Sequence, residues 1–227
     1  MTSEILKEYA LGAGARVVGI AAAADFTAAP EGYHPADALE GCRSVIVLGA
    51  PVPQEAILRE DTTGFIDVRN ETNKKLTDTA KAVAKKLKAE GHKAKDITGM
   101  SGKWVDGFTR GPISLKHAAQ LAGLGVIGKN YLLTNPEYGN ILWFNAVFTD
   151  AELTPDTQMQ DDFCGSCNRC AAACPSKALD DFAAAGTFDK KACSGTMFKQ
   201  VNGKWEIVCF LCRKVCPNRF GVLQKGT

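Results

Sequence analysis

Several features are scarce in this 227-residue chain, and each scarcity excludes something. No run of about 18 apolar residues occurs, so no membrane-spanning helix is expected. The formal net charge is only +2, which argues against a strongly electrostatic nucleic-acid partner. The opening residues MTSEILKEYA are polar and charged, unlike a secretory signal, and a cytoplasmic location is expected. Residues 1–150 show neither internal repeats nor low-complexity tracts. Cysteine is nearly absent from the first 160 residues, where Cys42 stands alone. The overall composition, 45% hydrophobic and 23% charged, is that of an ordinary globular chain with enough length for one sizeable core or two smaller ones.

What the front lacks, the back holds. Eight cysteines follow residue 160: Cys164, Cys167, Cys170, Cys174, Cys193, Cys209, Cys212 and Cys216. A disulfide scaffold would call for an oxidising compartment and usually a small secreted domain, so metal ligation is the better reading. CGSCNRCAAACP (164–175) is a complete C-x2-C-x2-C-x3-C-P run. Its two-residue spacers let three thiolates reach three corners of one cubane. The fourth, before Pro175, turns away to serve a second cluster.

The second run, VCFLCRKVCPN (208–218), has Glu206 where its first cysteine would stand. Cys193 is unassigned and can enter from an intervening loop. The resulting sets are Cys164, Cys167, Cys170 and Cys216 for one [4Fe–4S] cluster, and Cys174, Cys193, Cys209 and Cys212 for another. Two zinc sites of four cysteines each are the alternative, although zinc ribbons usually pair two C-x2-C knuckles and need neither the third cysteine nor the proline. A [2Fe–2S] site calls for different spacing. Arg169, Lys199, Arg213 and Lys214 stand near these cysteines in sequence. They are read either as charges that raise cluster potentials or as solvated surface.

Periodicity organises the rest. Residues 3–15 read as a helix capped at Ser3, with Ile5, Leu6, Tyr9 and Ala10 recurring at helical spacing and Gly12 and Gly14 ending it. Residues 17–23 read as a strand, 24–43 as a loop and 44–50 as a buried strand. Residues 71–90 form the clearest helix, with the stripe Leu76, Ala80, Val83 and Leu87 inward and a solvated lysine face. Residues 93–98 and 141–148 read as strands and 114–123 as a helix. The alternation predicts an α/β (α+β) layered N-terminal domain. An acidic, aperiodic stretch, 149–162, separates it from the cysteine-rich part, with a boundary near 155. The expected units are residues 1–155, the α/β layered domain, and 156–227, a bacterial ferredoxin-like domain with two [4Fe–4S] clusters.

AGLGVIGKNYLLTNPEYGN (122–140) is rich in glycine, but it lacks the spacing of a phosphate loop. Gly123, Gly125 and Gly128 either admit a ligand close to the backbone or form a turn. His117 is read as a ligand or proton donor, or as a packed or surface histidine. Tyr131 and Tyr138 are read as proton donors or as packing residues. Trp104 is read as capping an apolar pocket or filling the core, and Cys42 as a small buried residue.

AGLGVIGKN, ILWFNAVF, CGSCNRCAAACPSKAL, the isolated Cys193, CFLCRKVCPN and GCRSVIVLGAPVP together resemble the epoxyqueuosine reductases, relatives of the corrinoid- and iron–sulfur-dependent reductive dehalogenases. The resemblance spans most of the chain. It implies a cytoplasmic oxidoreductase whose α/β domain binds base-off cobalamin and whose clusters feed electrons to cobalt. A ferredoxin or flavodoxin would donate the electrons, and a small molecule or a protein would accept them. Segments 107–117 and 122–140 would line the cavity, with Thr109, Arg110, Lys116, Gly123, Gly125, Gly128, Lys129 and Asn130 as cofactor-binding residues. His117 and Tyr131 remain as catalytic candidates. The family pattern F-V-D-S-A-P carries an acidic donor where this chain has Thr109, and a later glutamate position falls on Leu115. A threonine hydroxyl is a poor general acid near neutral pH. The chain also ends at Thr227, short of the C-terminal extension that many tRNA-acting members carry. A cofactor-free electron-transfer module serving a protein partner is therefore the rival expectation.

Overall fold

A strand that is apolar on both faces must lie inside a sheet that is covered twice. SVIVLGAP (44–51) is such a strand. The computed structural model, which describes residues 2–106, 108–182 and 186–222, places it centrally. In chain order the front elements are α1 (Ser3–Gly12), β1 (Val17–Ala22), α2 (Pro35–Ala38), β2 (Ser44–Pro51), α3 (Gln54–Leu58) and α4 (Phe65–Ala89). There follow β3 (Ala94–Ile97), β4 (Lys103–Val105), β5 (Phe108–Arg110), α5 (Leu115–Leu121), β6 (Val126–Ile127), β7 (Leu133–Thr134) and β8 (Leu142–Thr149). The cysteine-rich part adds α6 (Arg169–Ala172), α7 (Lys190–Met197), β9 (Phe198–Val201), β10 (Lys204–Ile207) and α8 (Leu211–Lys214).

The main sheet has the order β1-β2-β8-β3, and every pairing in it is antiparallel. The expected layering is present as a mixed α and β arrangement. Because β2 and β3 both pair antiparallel with β8, they run parallel to each other, and the long α4 makes the crossover between them. Successive side chains alternate between two cores. Ile46, Leu48, Ile20 and Val147 face α1 and α4, where they meet Leu6, Leu76, Ala80, Val83 and Leu87. Val45, Val47, Phe144 and Phe148 face the other way, onto Ala118 and Ala119 of α5 and onto Leu124 and Leu133.

The sequence reading needs correction at some element edges. The Thr2 hydroxyl caps α1 by accepting from the Ile5 N–H at 3.3 Å, while the buried Ser3 Oγ donates to the Thr154 carbonyl at 3.2 Å. Leu6 and Ala10 are buried, but Ile5 and Tyr9 are 52% and 40% exposed, because only a narrow stripe of α1 meets α4. α4 begins six residues before Glu71, at Phe65 after Gly64 (φ 75°). The extra turns follow from tertiary contact: Phe65 stacks on Phe210 with ring centroids 4.4 Å apart. That pair sits in a third core with Val52, Ile57, Ile141 and Ile207, which ties the cysteine-rich part to the end of the sheet. Trp104 is 64% exposed on the β4–β5 hairpin and fills neither core nor pocket, and Cys42 is only half-buried.

The return of the chain past residue 150 is also pinned. The Asp156 carboxylate accepts from the Ile20 N–H at 2.8 Å and pairs with Lys7. Its own N–H donates to the Ile20 carbonyl at 2.8 Å. Gly139 (φ 60°) meets the backbone around Asn218, and a Cβ there would stand 2.2 Å from the Asn218 carbonyl oxygen.

Two stability contrasts follow, both checked by denaturant unfolding. Leu6→Ala is expected to cost about 2–5 kcal/mol, whereas Ile5→Ala, one residue away and exposed, stays within about 0.5 kcal/mol. Gly139→Ala is expected to destabilise by more than the roughly 1–3 kcal/mol of a strained backbone conformation, because the Cβ also strikes the 218–219 backbone. Gly195→Ala, inside α7 with open space around it, is expected to be neutral or to stabilise by up to about 1 kcal/mol.

Candidate functional site

The first cysteine knuckle is shaped by its own backbone. Asp162 Oδ1 accepts from the N–H groups of Cys164 and Gly165 at 2.9 and 3.0 Å. Gly165 adopts φ 48°, and the Cys167 N–H closes back on the Cys164 carbonyl at 2.9 Å. The short α6 follows and buries Cys170. Asp189 caps α7 by accepting from the Ala192 N–H at 2.8 Å, which sets Cys193 in the first turn. The β9–β10 hairpin then returns the chain, and the Val208 N–H bonds the Met197 carbonyl at 2.8 Å, so Cys209 comes back beside the helix that carries Cys193. Glu206, in the place of the missing cysteine, lies on β10, and its buried Oε2 has no hydrogen-bond partner.

The electrostatic neighbours of the thiols fall into two groups. Burial raises the Cys170 thiol pKa, and the charges of Cys164 and Cys216 add to the rise. Burial likewise raises Cys216, with further contributions from Cys164 and Cys167. In the second group burial, then Cys174 and Cys209, push Cys193 up to about 11. Cys212 is pushed up to about 12, chiefly by burial, against the opposing pull of the Arg213 guanidinium; Cys193, Cys209 and Cys170 add to the rise. Cys170 belongs to the other neighbourhood, so the two adjoin. All nine cysteines are free thiols. Among the described residues no group of three or more His, Cys, Asp or Glu side chains is gathered tightly enough to hold a single metal ion. A cubane makes a different demand, since each thiolate binds its own iron and the four sulfurs ring a space. Cys164, Cys167, Cys170 and Cys216 all line one cavity, together with Asn130, Thr134 and Asn218.

Several buried polar atoms around these thiols are left over. Both amide atoms of Asn140, Asn218 Oδ1 and Arg213 Nη1 have no hydrogen-bond partner at normal geometry, although the Asn140 amide lies close enough to Cys216 to lower its pKa. Unpaired buried polar groups are costly and call for a polar occupant. The sulfurs of an anionic cluster would accept from Asn140 Nδ2 and Arg213 Nη1, so the thiols and these two orphan donors fit iron–sulfur centres, whereas Asn140 Oδ1 and Asn218 Oδ1 are acceptors.

The cofactor-binding residues expected from the glycine-rich segment divide between two places. Gly123 and Gly125 lie against the chain itself: a Cβ would stand 2.5 Å from the Thr157 oxygen and 2.2 Å from the Thr134 oxygen respectively. At Gly128 it would meet Cys164 Sγ at 3.2 Å. The close approach expected of these glycines is therefore made to protein atoms. The Lys129 N–H points at Cys164 Sγ (3.4 Å), and Lys129 Nζ donates to the Gly165 carbonyl at 2.7 Å and to Asn168 Oδ1 at 3.3 Å. Asn130 is buried, accepting from the Leu132 N–H at 3.1 Å. Gly128, Lys129 and Asn130 thus stand at the first cysteine group.

Arg110, Lys116, His117 and Tyr131 are gathered elsewhere, around aromatic rings. Lys116 Nζ lies 3.3 Å from the Tyr131 ring centroid and donates to the Tyr131 carbonyl at 2.8 Å. Tyr131 (φ 58°) stacks on Phe188 at 4.3 Å and meets Phe182 and His117 edge-on. Lys190 Nζ lies 4.6 Å from the Phe108 ring, and Arg110 lies over Tyr33 at 4.5 Å. Lys190 escaped sequence reasoning; nothing in its local pattern separates it from a solvated lysine. Burial, then Lys190, lower the Lys116 pKa to about 7, and the Cys193 and Cys212 sulfurs partly oppose that fall. Burial and Lys116 lower His117, whose Nδ1 is 2.6 Å from Ser114 Oγ. Among the described residues none of the three cations Arg110, Lys116 and Lys190 has a carboxylate partner within ion-pair distance. The arrangement suits an anionic or aromatic ligand. Thr109 is exposed on β5, opposite Trp104, and Leu115 packs partly against the second core. Tyr138 packs between the second and third cores. Gly107, within the expected 107–117 segment, lies outside the described residues.

No family model matches the chain. In sequence it is similar to the epoxyqueuosine reductase of Cyclobacterium marinum, 36% identical over 123 residues, which is 50% of this chain and 40% of that protein. The enzyme of Lactococcus garvieae is 28% identical over 202 residues, 85% of this chain and 56% of that one. The chain therefore spans about half the length of the curated relatives it matches. Among solved structures, an epoxyqueuosine reductase crystallised with an epoxyqueuosine-modified tRNA-Tyr stem loop superposes with a TM-score of 0.67 at 21% identity, covering 95% of this chain and 64% of that one. A catabolic reductive dehalogenase gives 0.71 at 21%, covering 95% and 31%. No described helix is long and apolar enough to cross a membrane. The chain is epoxyqueuosine reductase-like in sequence, and it shares its fold with epoxyqueuosine reductases and reductive dehalogenases.

Proposed function

We propose that this chain is an iron–sulfur redox protein that passes single electrons through two [4Fe–4S] clusters to an acceptor held by its front half. The carrying observation is the single cavity lined by Cys164, Cys167, Cys170 and Cys216, beside a second group in which burial, then neighbouring sulfurs, raise the Cys193 and Cys212 thiols. Such thiols resist ionisation unless cations are placed among them, and iron supplies those cations. Cys164, Cys167, Cys170 and Cys216 would hold one cluster, and Cys174, Cys193, Cys209 and Cys212 the other. Residues 156–227 then act as a ferredoxin-like unit and 1–155 as the acceptor-binding unit. A ferredoxin or flavodoxin is the proposed electron donor. Nine free thiols suit a reducing cytoplasm.

A cobalamin-type corrinoid is the proposed acceptor. The support is likeness: a solved neighbour of the same fold is described as suggesting a mechanism for B12-dependent dehalogenation. When bound, a corrinoid supplies reduced cobalt for reductive chemistry. This chain's own contribution is a cation-rich, aromatic surface made by Arg110, Lys116, Lys190, Tyr131 and Phe188, beside the second cysteine group. Lys116 sheds or holds its proton near neutrality, a property that Thr109 lacks. A nucleic-acid partner, set aside on net charge, returns as a candidate because a solved neighbour was crystallised with a tRNA stem loop. The second reading, an electron-transfer module without substrate chemistry of its own, is favoured by the exposed Thr109 where an acidic donor is expected.

Anaerobically purified protein is expected to hold about eight irons and as many sulfides. Cys193→Ser and Cys216→Ser are each expected to lose one centre by electron paramagnetic resonance while keeping most of the other. Zinc in place of iron, or a Cys193→Ser variant with both centres intact, refutes the ligand sets. Titration with cobalamin under reducing conditions, followed in the visible spectrum, is expected to give saturable corrinoid bands on the protein. Their absence at saturation leaves the electron-transfer module.

A further inference from the structure

Arg213 holds a charge that the polypeptide does not neutralise. It follows Cys212 directly on α8 and precedes Cys216 by three residues. It is only 8% exposed, and its Nη1 has no hydrogen-bond partner. No carboxylate pairs with it among the described residues. An unpaired buried guanidinium is strongly unfavourable, so its counter-charge must come from something else. Its chain neighbours Cys212 and Cys216 belong one to each proposed ligand set, so anionic clusters on those sulfurs would supply the counter-charge. α8 also packs on α6, which carries Cys170, so the guanidinium is held where the two neighbourhoods adjoin.

The other nearby cations differ. Arg169 and Lys199 are exposed, where solvent and salt screen their charge. Lys214 Nζ is engaged by the Arg59 carbonyl and lies over the Phe210 ring. Lys116 Nζ is engaged by Tyr131. Arg213 alone of these combines deep burial with an uncommitted donor.

We propose that Arg213 is a positioning residue shared by both iron–sulfur centres, whose buried charge favours the reduced state of each and sets their potentials together. A cluster with four thiolates is anionic and becomes more so on taking up one electron. A fixed cation between two such clusters therefore stabilises the reduced form of both, and an N–H directed at sulfur acts in the same direction. The proposal rests on the two-cluster reading above.

The test uses the full chain, purified anaerobically, with iron and sulfide measured first. Each centre is then titrated with dithionite, which supplies one electron per cluster, and followed by electron paramagnetic resonance. Arg213→Met is expected to retain its iron and to lower the reduced-to-oxidised ratio of both centres about tenfold at a fixed potential, a shift of ~59 mV for a one-electron couple. Arg213→Lys, which keeps the charge, is expected to stay within about threefold of the unaltered protein, and Lys199→Met to change nothing. Should Arg213→Met lose iron, Arg213→Gln, a neutral variant that keeps an N–H donor, is read in its place, and both midpoints are expected to fall by less than the Met shift. Clusters retained with both midpoints unchanged, or with only one moved, overturn the shared role alone. An unaltered protein without iron removes the cluster reading and this proposal with it.

Discussion

Thiols that are buried and close together resist becoming thiolates, and the cysteine-rich part of this protein is built around that constraint. Cys193 and Cys212 have pKa values pushed up to about 11 and 12, chiefly by burial and then by neighbouring sulfurs. The same region buries a guanidinium without a carboxylate partner and leaves amide atoms of Asn140 and Asn218 unpaired. A polypeptide keeps so many unsatisfied groups in one place when a polar, charged occupant satisfies them. The proposed iron–sulfur clusters would bring cations for the sulfurs and acceptors for the Arg213 and Asn140 N–H groups.

The sheet matters because it fixes where these thiols can stand. β2 and β8 are covered on both faces and provide a rigid centre. From that centre the segment 122–140 reaches the cysteines at several points: Gly128 at Cys164, Lys129 at the first knuckle, and Gly139 and Asn140 at the 216–219 turn. The Phe65–Phe210 stack closes the far side. The Lys116–Tyr131–Phe188 group sits between the sheet's second face and the Cys193 helix, so any ligand it takes would lie beside the second thiol neighbourhood.

Much of the fold could be read locally. The apolar run 44–50 and the Leu76, Ala80, Val83, Leu87 stripe carry their own periodicity, and each is buried as that periodicity requires. The early start of α4 could not be read, because FIDVRN has no strong helical stripe and is held by Phe210, far along the chain. The exposure of Ile5 and Tyr9 was equally hidden, since periodicity gives a helix face but not the width of its neighbour. For the site, Gly123 and Gly125 signal close approach in the sequence, but the partner they approach is the chain's own backbone.

By itself the sequence determined where the cysteines gather and which of them keep the spacing of cluster ligands, because spacing is a local property of the C-x2-C-x2-C-x3-C-P run and its partial echo. It also determined that the central strands would be buried, because strand periodicity is local too. Only the tertiary structure decided which thiols crowd one another, that Lys116 and Lys190 share an aromatic enclosure, and that Arg213 is buried among sulfurs rather than solvated. These depend on desolvation and on charges brought together across many residues of chain, quantities that no short stretch of sequence contains.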